Sequence, residues 1–117
     1  MDKIRNVTLE GKIYNAGFRV VTTEMKSLGL RRNPNILKYP INEWYYLSEK
    51  QIISGPEDFG GIWVTRNLHD AKKLVKYMDE KYNVSTRLFE VAFDKILYSN
   101  SYRIKTNGIY LFNEITL

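Results

Sequence analysis

The sequence predicts an α+β domain with a bent, mainly antiparallel sheet, one long helix and one short helix. Three observations carry this. Between Phe59 and Glu80 a glycine pair, a short apolar strand, a helix cap and an amphipathic stretch follow without a break. After that stretch, helical periodicity gives way to short β-branched and aromatic runs separated by turn residues. Strands and helices do not alternate in the manner that builds a doubly wound parallel sheet. At 117 residues with 44% apolar residues, the chain is long enough for a core of its own. No linker or composition shift divides it, so residues 1–117 read as a single domain, with 1–16 as a peripheral lead-in.

Ile4, Val7, Leu9 and Ile13 alternate loosely around a turn at Gly11, which suggests an edge hairpin. Gly17 to Thr22 reads as a strand, with Phe18 and Val20 on one face and Arg19 and Val21 on the other. Thr22 or Thr23 caps the short helix through Glu24, Met25 and Leu28, which Gly29 ends. A proline-broken loop carries the adjacent cations Arg31 and Arg32. Glu43–Leu47 is a strand with three successive aromatics, and Ser54–Asp58 is a loop. Gly60 and Gly61 open the strand Ile62–Val64. Asn67 caps the long helix, Asp70 adds charge favourable to its N-terminus, and Leu68, Ala71, Leu74, Val75, Met78 and Tyr82 form its apolar face. Asn83 ends it. Thr86–Phe93 is a strand covered on both faces, Ile96–Tyr98 and Tyr102–Thr106 are short strands, and Asn107-Gly108 signals a hairpin into Ile109–Phe112.

Composition excludes several chemistries. With no cysteine there is no disulfide framework, thiolate zinc site or cysteine nucleophile. The single histidine, His69, stands among capping residues and makes neither a metal cluster nor a Ser-His-Asp triad; no metal is expected. Neither a P-loop nor a dinucleotide-fold glycine fingerprint is present. No apolar run approaches the roughly 20 residues of a membrane span, and Met-Asp-Lys-Ile-Arg-Asn lacks a signal-peptide core, so the expectation is a cytoplasmic protein without membrane association. The net charge of +5 favours partners that carry phosphate or acidic groups.

What remains is a strand arginine, aromatics, a hydroxyl and a late carboxylate. The order Phe18-Arg-Val-Val-Thr22, Leu28-Gly-Leu, Gly61-Ile-Trp-Val-Thr65, the helix with Asp70-Ala-Lys-Lys-Leu, and Leu88-Phe-Glu-Val-Ala-Phe93 resembles the ADP-ribosyltransferase-like superfamily. That superfamily includes toxins, poly(ADP-ribose) polymerases and tRNA 2′-phosphotransferases. The resemblance covers roughly residues 17–114. It implies NAD as substrate, with Arg19 on the pyrophosphate, Trp63 against nicotinamide, Thr65 as the nearby hydroxyl and Glu114 as the carboxylate that steadies the charge left as nicotinamide departs. A second register lays Trp44–Ser48 over the opening strand and puts Tyr46 where that family has histidine. Trp63 stands in place of the family's tyrosine, and Glu114 falls just past its expected strand. Arg66, Arg103 and Lys105 add cations like those of the phosphate-handling members, and Thr106-Asn-Gly-Ile-Tyr-Leu111 is similar to an element of the 2′-phosphotransferases, whose catalytic histidines are missing here.

The resulting expectation is a small ADP-ribosyltransferase-like protein that binds NAD and transfers ADP-ribose to a protein or nucleic acid. The alternative is a non-enzymatic basic module, of the kind viruses and plasmids encode as regulators or inhibitors. It would use Arg31, Arg32, Arg66, Lys72, Lys73, Arg103 and Lys105 against nucleic acid or an acidic protein surface. A third is self-association through the aromatic edge at 44–46.

Overall fold

In the computed structural model, residues 4–29 and 36–116 are described; the expected cations Arg31 and Arg32 lie outside the described residues. The N-terminal hairpin forms from β1 (Arg5–Leu9) and β2 (Lys12–Thr22), joined by Glu10 and Gly11, both at positive φ. Its second strand does not stop at the lead-in. β2 continues unbroken into the expected strand, so Asn15 and Ala16 already pair with the central sheet at Phe93 and Ala92.

The other strands are β3 (Trp44–Tyr46), β4 (Ile62–Thr65), β5 (Thr86–Phe93), β6 (Ile96–Ser99), β7 (Arg103–Thr106) and β8 (Gly108–Ile115), with the helix α1 (Leu68–Tyr82) between β4 and β5. The order across the sheet is β3-β8-β5-β2-β4-β7-β6, with β1 paired to β2, and the strand pairs are antiparallel. The bent antiparallel sheet with one long helix is therefore as the sequence indicates. The Asn67 side chain accepts the Asp70 amide at 2.9 Å, and Asn83 ends α1 in the left-handed conformation.

Two local expectations are corrected. The short helix over residues 23–28 does not form. Met25 has φ +66°, which no right-handed helix accommodates, and the Thr22 hydroxyl accepts the Lys26 amide at 3.0 Å. Beyond that turn, the Ser27 amide donates to the Leu37 carbonyl and the Tyr39 amide to the Met25 carbonyl, so the segment zips against residues 37–39 as a short ribbon. Asn107-Gly108 is not a hairpin turn either. β7 pairs with β4 and β6, whereas β8 pairs with β5 and β3, so the chain crosses here from one half of the sheet to the other. Asn107 is buried at that crossing, where its side chain accepts the Lys95 amide and its carbonyl the Leu47 amide, each at 2.9 Å. Gly108 lies under the Tyr46 ring, which leaves no room for a Cβ.

The two halves meet at one register pair between β2 and β4, Phe18 opposite Thr65. Their inner faces enclose one core of Val21, Phe89, Val91, Phe93, Ile109 and Leu111 with Ile62, Val64 and Ile104. On the outer face α1 lays Ala71 and its partly buried Leu68, Leu74 and Val75 over Phe18, Val20 and Leu88. These two clusters bury apolar side chains on both faces of the sheet, a burial that stabilises by about 25 cal/mol per Å² of apolar surface. Among the described residues no helix is long and apolar enough to cross a membrane.

Candidate functional site

A strand that pairs with its neighbour at a single residue must diverge from it on either side. Past Phe18–Thr65, β4 peels away from β2, and the wedge opens into a cleft of ≈ 440 Å³. That size is ordinary for a small-molecule site. Arg19 and Val20 of β2, Trp63 and Thr65 of β4, and Asp70 and Leu74 of the first half of α1 form its walls. The ribbon at Ser27, Leu37 and Tyr39, the 51–61 segment and Arg103 of β7 complete it.

Period-two alternation explains which side chains arrive there. Ile62 and Val64 are buried in the core, so Trp63 and Thr65 face the other way. Trp63 pairs with Lys105 and Thr65 with Arg103, which puts both cations of β7 on that same face. The Arg19 guanidinium bridges the wedge. It donates to the Trp63 carbonyl at 2.9 Å and to the Tyr39 hydroxyl at 3.2 Å, and that hydroxyl lies 3.2 Å from Ser27 Oγ. Arg19 Nε is buried without a partner.

Trp63 is anchored at its edge and covered on a face. Its indole N–H donates to the Asp58 carbonyl at 2.9 Å, Tyr98 meets it edge-on, and the Arg103 guanidinium sits 3.8 Å from its ring centre. Arg103 reaches Asp58 Oδ1 at 3.5 Å, and its Nε has no partner. Below this stack Lys105 is fully buried, with its stem against Gly61 and its ammonium donating to the Gly55 carbonyl at 3.2 Å. Burial lowers its pKa, and Glu57 at 4.0 Å offsets only part of that. The cleft mouth is apolar, where Ile53, Phe59 and Tyr102 line the cleft and remain exposed.

Of the residues singled out from sequence, Arg19, Trp63, Thr65 and Arg103 are brought together in this cleft. Others are not. Glu114 lies inside β8 rather than past its strand, opposite Phe89, and is held by Arg87 through bonds of 2.6 and 2.9 Å. That pairing lowers the Glu114 pKa, and the carboxylate, on a strand separated from β4 by β5 and β2, is not in the cleft lining. Tyr46 stands on the edge strand β3, stacked on Trp44 in a cluster with Tyr14 and Tyr110, away from the cleft. Burial and the nearby Asp94 raise its pKa. Lys105 is enclosed and out of reach of an external phosphate. Arg66 donates to the Asn100 carbonyl at 2.6 Å.

Three cleft residues, Tyr39, Ser27 and Asp58, were not singled out from the sequence as site residues. Tyr39 and Ser27 enter through contacts 20 and 12 residues distant in the chain. Asp58 read only as a loop acid; the glycine pair after it was the one hint that its backbone would approach the site closely. Among the described residues, no group of three or more histidines or acids could hold a metal ion. Comparison of the chain with protein-family models, curated proteins and solved structures finds no match.

Proposed function

We propose that the protein is an ADP-ribosyltransferase-like domain whose wedge-shaped cleft binds NAD. One observation carries the reading: Arg19 of β2 and, more than forty residues later, Trp63 and Thr65 of β4 line a single cleft between strands that pair at only one residue. The donor set suits the ligand. Two guanidiniums with unpartnered Nε atoms answer a pyrophosphate, the Thr65 hydroxyl answers a ribose or carboxamide, and Leu28, Leu74 and Phe59 offer apolar surface to a ring.

The geometry supports the binding half of this reading better than the transfer half. Loss of nicotinamide leaves positive charge on the ribose, and a carboxylate must stand beside it to help. Glu114 is engaged by Arg87 elsewhere, and the acids that line the cleft are Asp58 and Asp70. Those two, rather than Glu114, are the carboxylates nearest a ring bound in the cleft, Asp58 in contact with Arg103 and Asp70 with the Asn67 amide.

The basic-module reading has less support. Among the described residues its cations are spread: Lys105 is buried, Arg103 is in the cleft, and Lys72 and Lys73 are on the exposed side of α1.

The test is NAD titration by calorimetry on the wild type and Arg19→Ala, with melting temperatures to check folding. Saturable binding that is weakened at least about tenfold in the variant is expected. Absence of binding at millimolar NAD would overturn the proposal.

A further inference from the structure

Arg103 and Asp58 occupy a place where a ligand and its anion would have to compete with them. The guanidinium covers the cleft-lining Trp63 at 3.8 Å, so a planar ring cannot stack there until Arg103 moves or accepts the ring on its own outer face. Its hold on Asp58 is a single contact of 3.5 Å, far looser than the bidentate pair Arg87 makes with Glu114. Its Nε is buried with no acceptor. Such a donor costs free energy until something accepts from it. A guanidinium with one long ion-pair contact and an unused donor, facing a cleft, is incompletely satisfied.

The loop that carries Asp58 is tied down independently of this contact. The Trp63 indole holds the Asp58 carbonyl, the Lys105 ammonium holds the Gly55 carbonyl, and Gly60 at φ +83° packs its backbone on Ile53. Asp58 can therefore lose Arg103 without the loop losing its place. Arg19 differs, because both of its terminal nitrogens bridge β4 and Tyr39 as part of the wedge.

We infer that Arg103 and Asp58 form a ligand-released clasp: a phosphate or pyrophosphate group in the cleft displaces the Asp58 carboxylate from Arg103 and takes the guanidinium, uncovering Trp63. This rests on the nucleotide reading of the cleft and names the part of the ligand that Arg103 selects. Arg19 is the fixed guanidinium of the pair and Arg103 the movable one. Asp58 is an internal competitor that sets the affinity for anions. A residue of that kind has a recognisable signature: removing its charge tightens binding, whereas removing a structural acid weakens it.

The experiment titrates inorganic pyrophosphate and, separately, NAD into wild type, Arg103→Ala, Arg103→Lys and Asp58→Asn. Calorimetry is run together with the emission of Trp63 in a Trp44→Phe background, where it is the only tryptophan. Arg103→Ala is expected to weaken pyrophosphate at least about tenfold, and Arg103→Lys by less, since it keeps charge without the fork. Asp58→Asn is expected to tighten pyrophosphate about threefold or more, and ligand should change Trp63 emission in wild type but not in Arg103→Ala.

If NAD binds but Arg103→Ala leaves its affinity unchanged, or Asp58→Asn weakens it, the clasp is wrong and the NAD reading stands. If pyrophosphate follows the expected pattern while NAD does not bind, the clasp stands and the NAD reading falls. If neither ligand binds, both fall. Should Arg103→Ala fail to fold, Arg103→Lys and Asp58→Asn still give opposite expected shifts.

Discussion

Glu114 shows how a single partner redirects a residue. On sequence it is the late carboxylate of a transferase-like site; in the fold Arg87, one strand away, takes both of its oxygens. The pair is partly exposed, so its net worth is at most about 1 kcal/mol after solvent screening. Its sign with pH follows from the lowered pKa. Glu114 titrates lower folded than unfolded, so its contribution is complete above the ordinary glutamate range and is lost as pH falls through the lowered value. Glu114→Gln is therefore expected to destabilise by up to about 1 kcal/mol at neutral pH, with the gap from wild type closing in acid. Urea denaturation at neutral pH and below the glutamate range checks this. Because the carboxylate stands outside the cleft, NAD affinity should not change. A large loss of NAD affinity in this variant would return Glu114 to the site.

At the scale of elements, close backbone approach decides where the sheet divides. β2 gives its N-terminal half to β1 and meets β4 only at Phe18, and the handover falls beside Gly17. A Cβ at Gly17 would run into the Val64 side chain and lie 2.9 Å from the Thr65 carbonyl oxygen. Neither neighbour can yield, since Val64 is buried in the core and Thr65 is in the ladder. Gly17→Ala is expected to cost about 1–3 kcal/mol, as overpacking typically does, and to weaken any ligand in the wedge through displacement of Thr65. Thermal unfolding and titration of the same variant read the two effects. Gly108 has a parallel role under Tyr46, where it was expected to serve a turn. In both positions the missing side chain matters more than the freedom of φ.

Across the whole molecule the net charge is +5, and among the described residues the cations singled out from sequence are divided between places. Arg19 and Arg103 are in the cleft, Lys105 is inside, and Lys72, Lys73 and Lys76 lie on the solvent side of α1. The cleft and the lysine face are separate surfaces of one body, so two functional readings can be separated by mutation. Reversing Lys72, Lys73 and Lys76 to glutamate is expected to leave NAD affinity within about twofold, with only a screened long-range effect at physiological salt. Nucleic-acid binding with a steep salt dependence would fall sharply in the same variant. Calorimetry with NAD and a salt series with single-stranded DNA measure the two.

The sequence by itself determined the local elements. The cap at Asn67, the stripe from Leu68 to Met78 and the largely apolar run Thr86–Phe93 each contain their own physical reasons within a few residues and appear in the fold at those positions, while Tyr82, expected on the same apolar face, is exposed. Arg19, Trp63 and Thr65 were legible as site candidates through the family resemblance; alternation around Ile62 and Val64 agrees for Trp63 and Thr65, whereas Arg19 shares its strand face with the buried Val21. Only the tertiary structure decided the rest. Thr22–Gly29 has good helix punctuation, but residues 37–39 offer its backbone a ribbon and Met25 a buried place, and that pairing overrides local propensity. Asn-Gly suits a tight turn, yet the two strands it joins find better partners in opposite halves of the sheet. The cleft exists because β2 and β4 part after one register pair, and the distance that separates those strands along the chain hides this from any local reading.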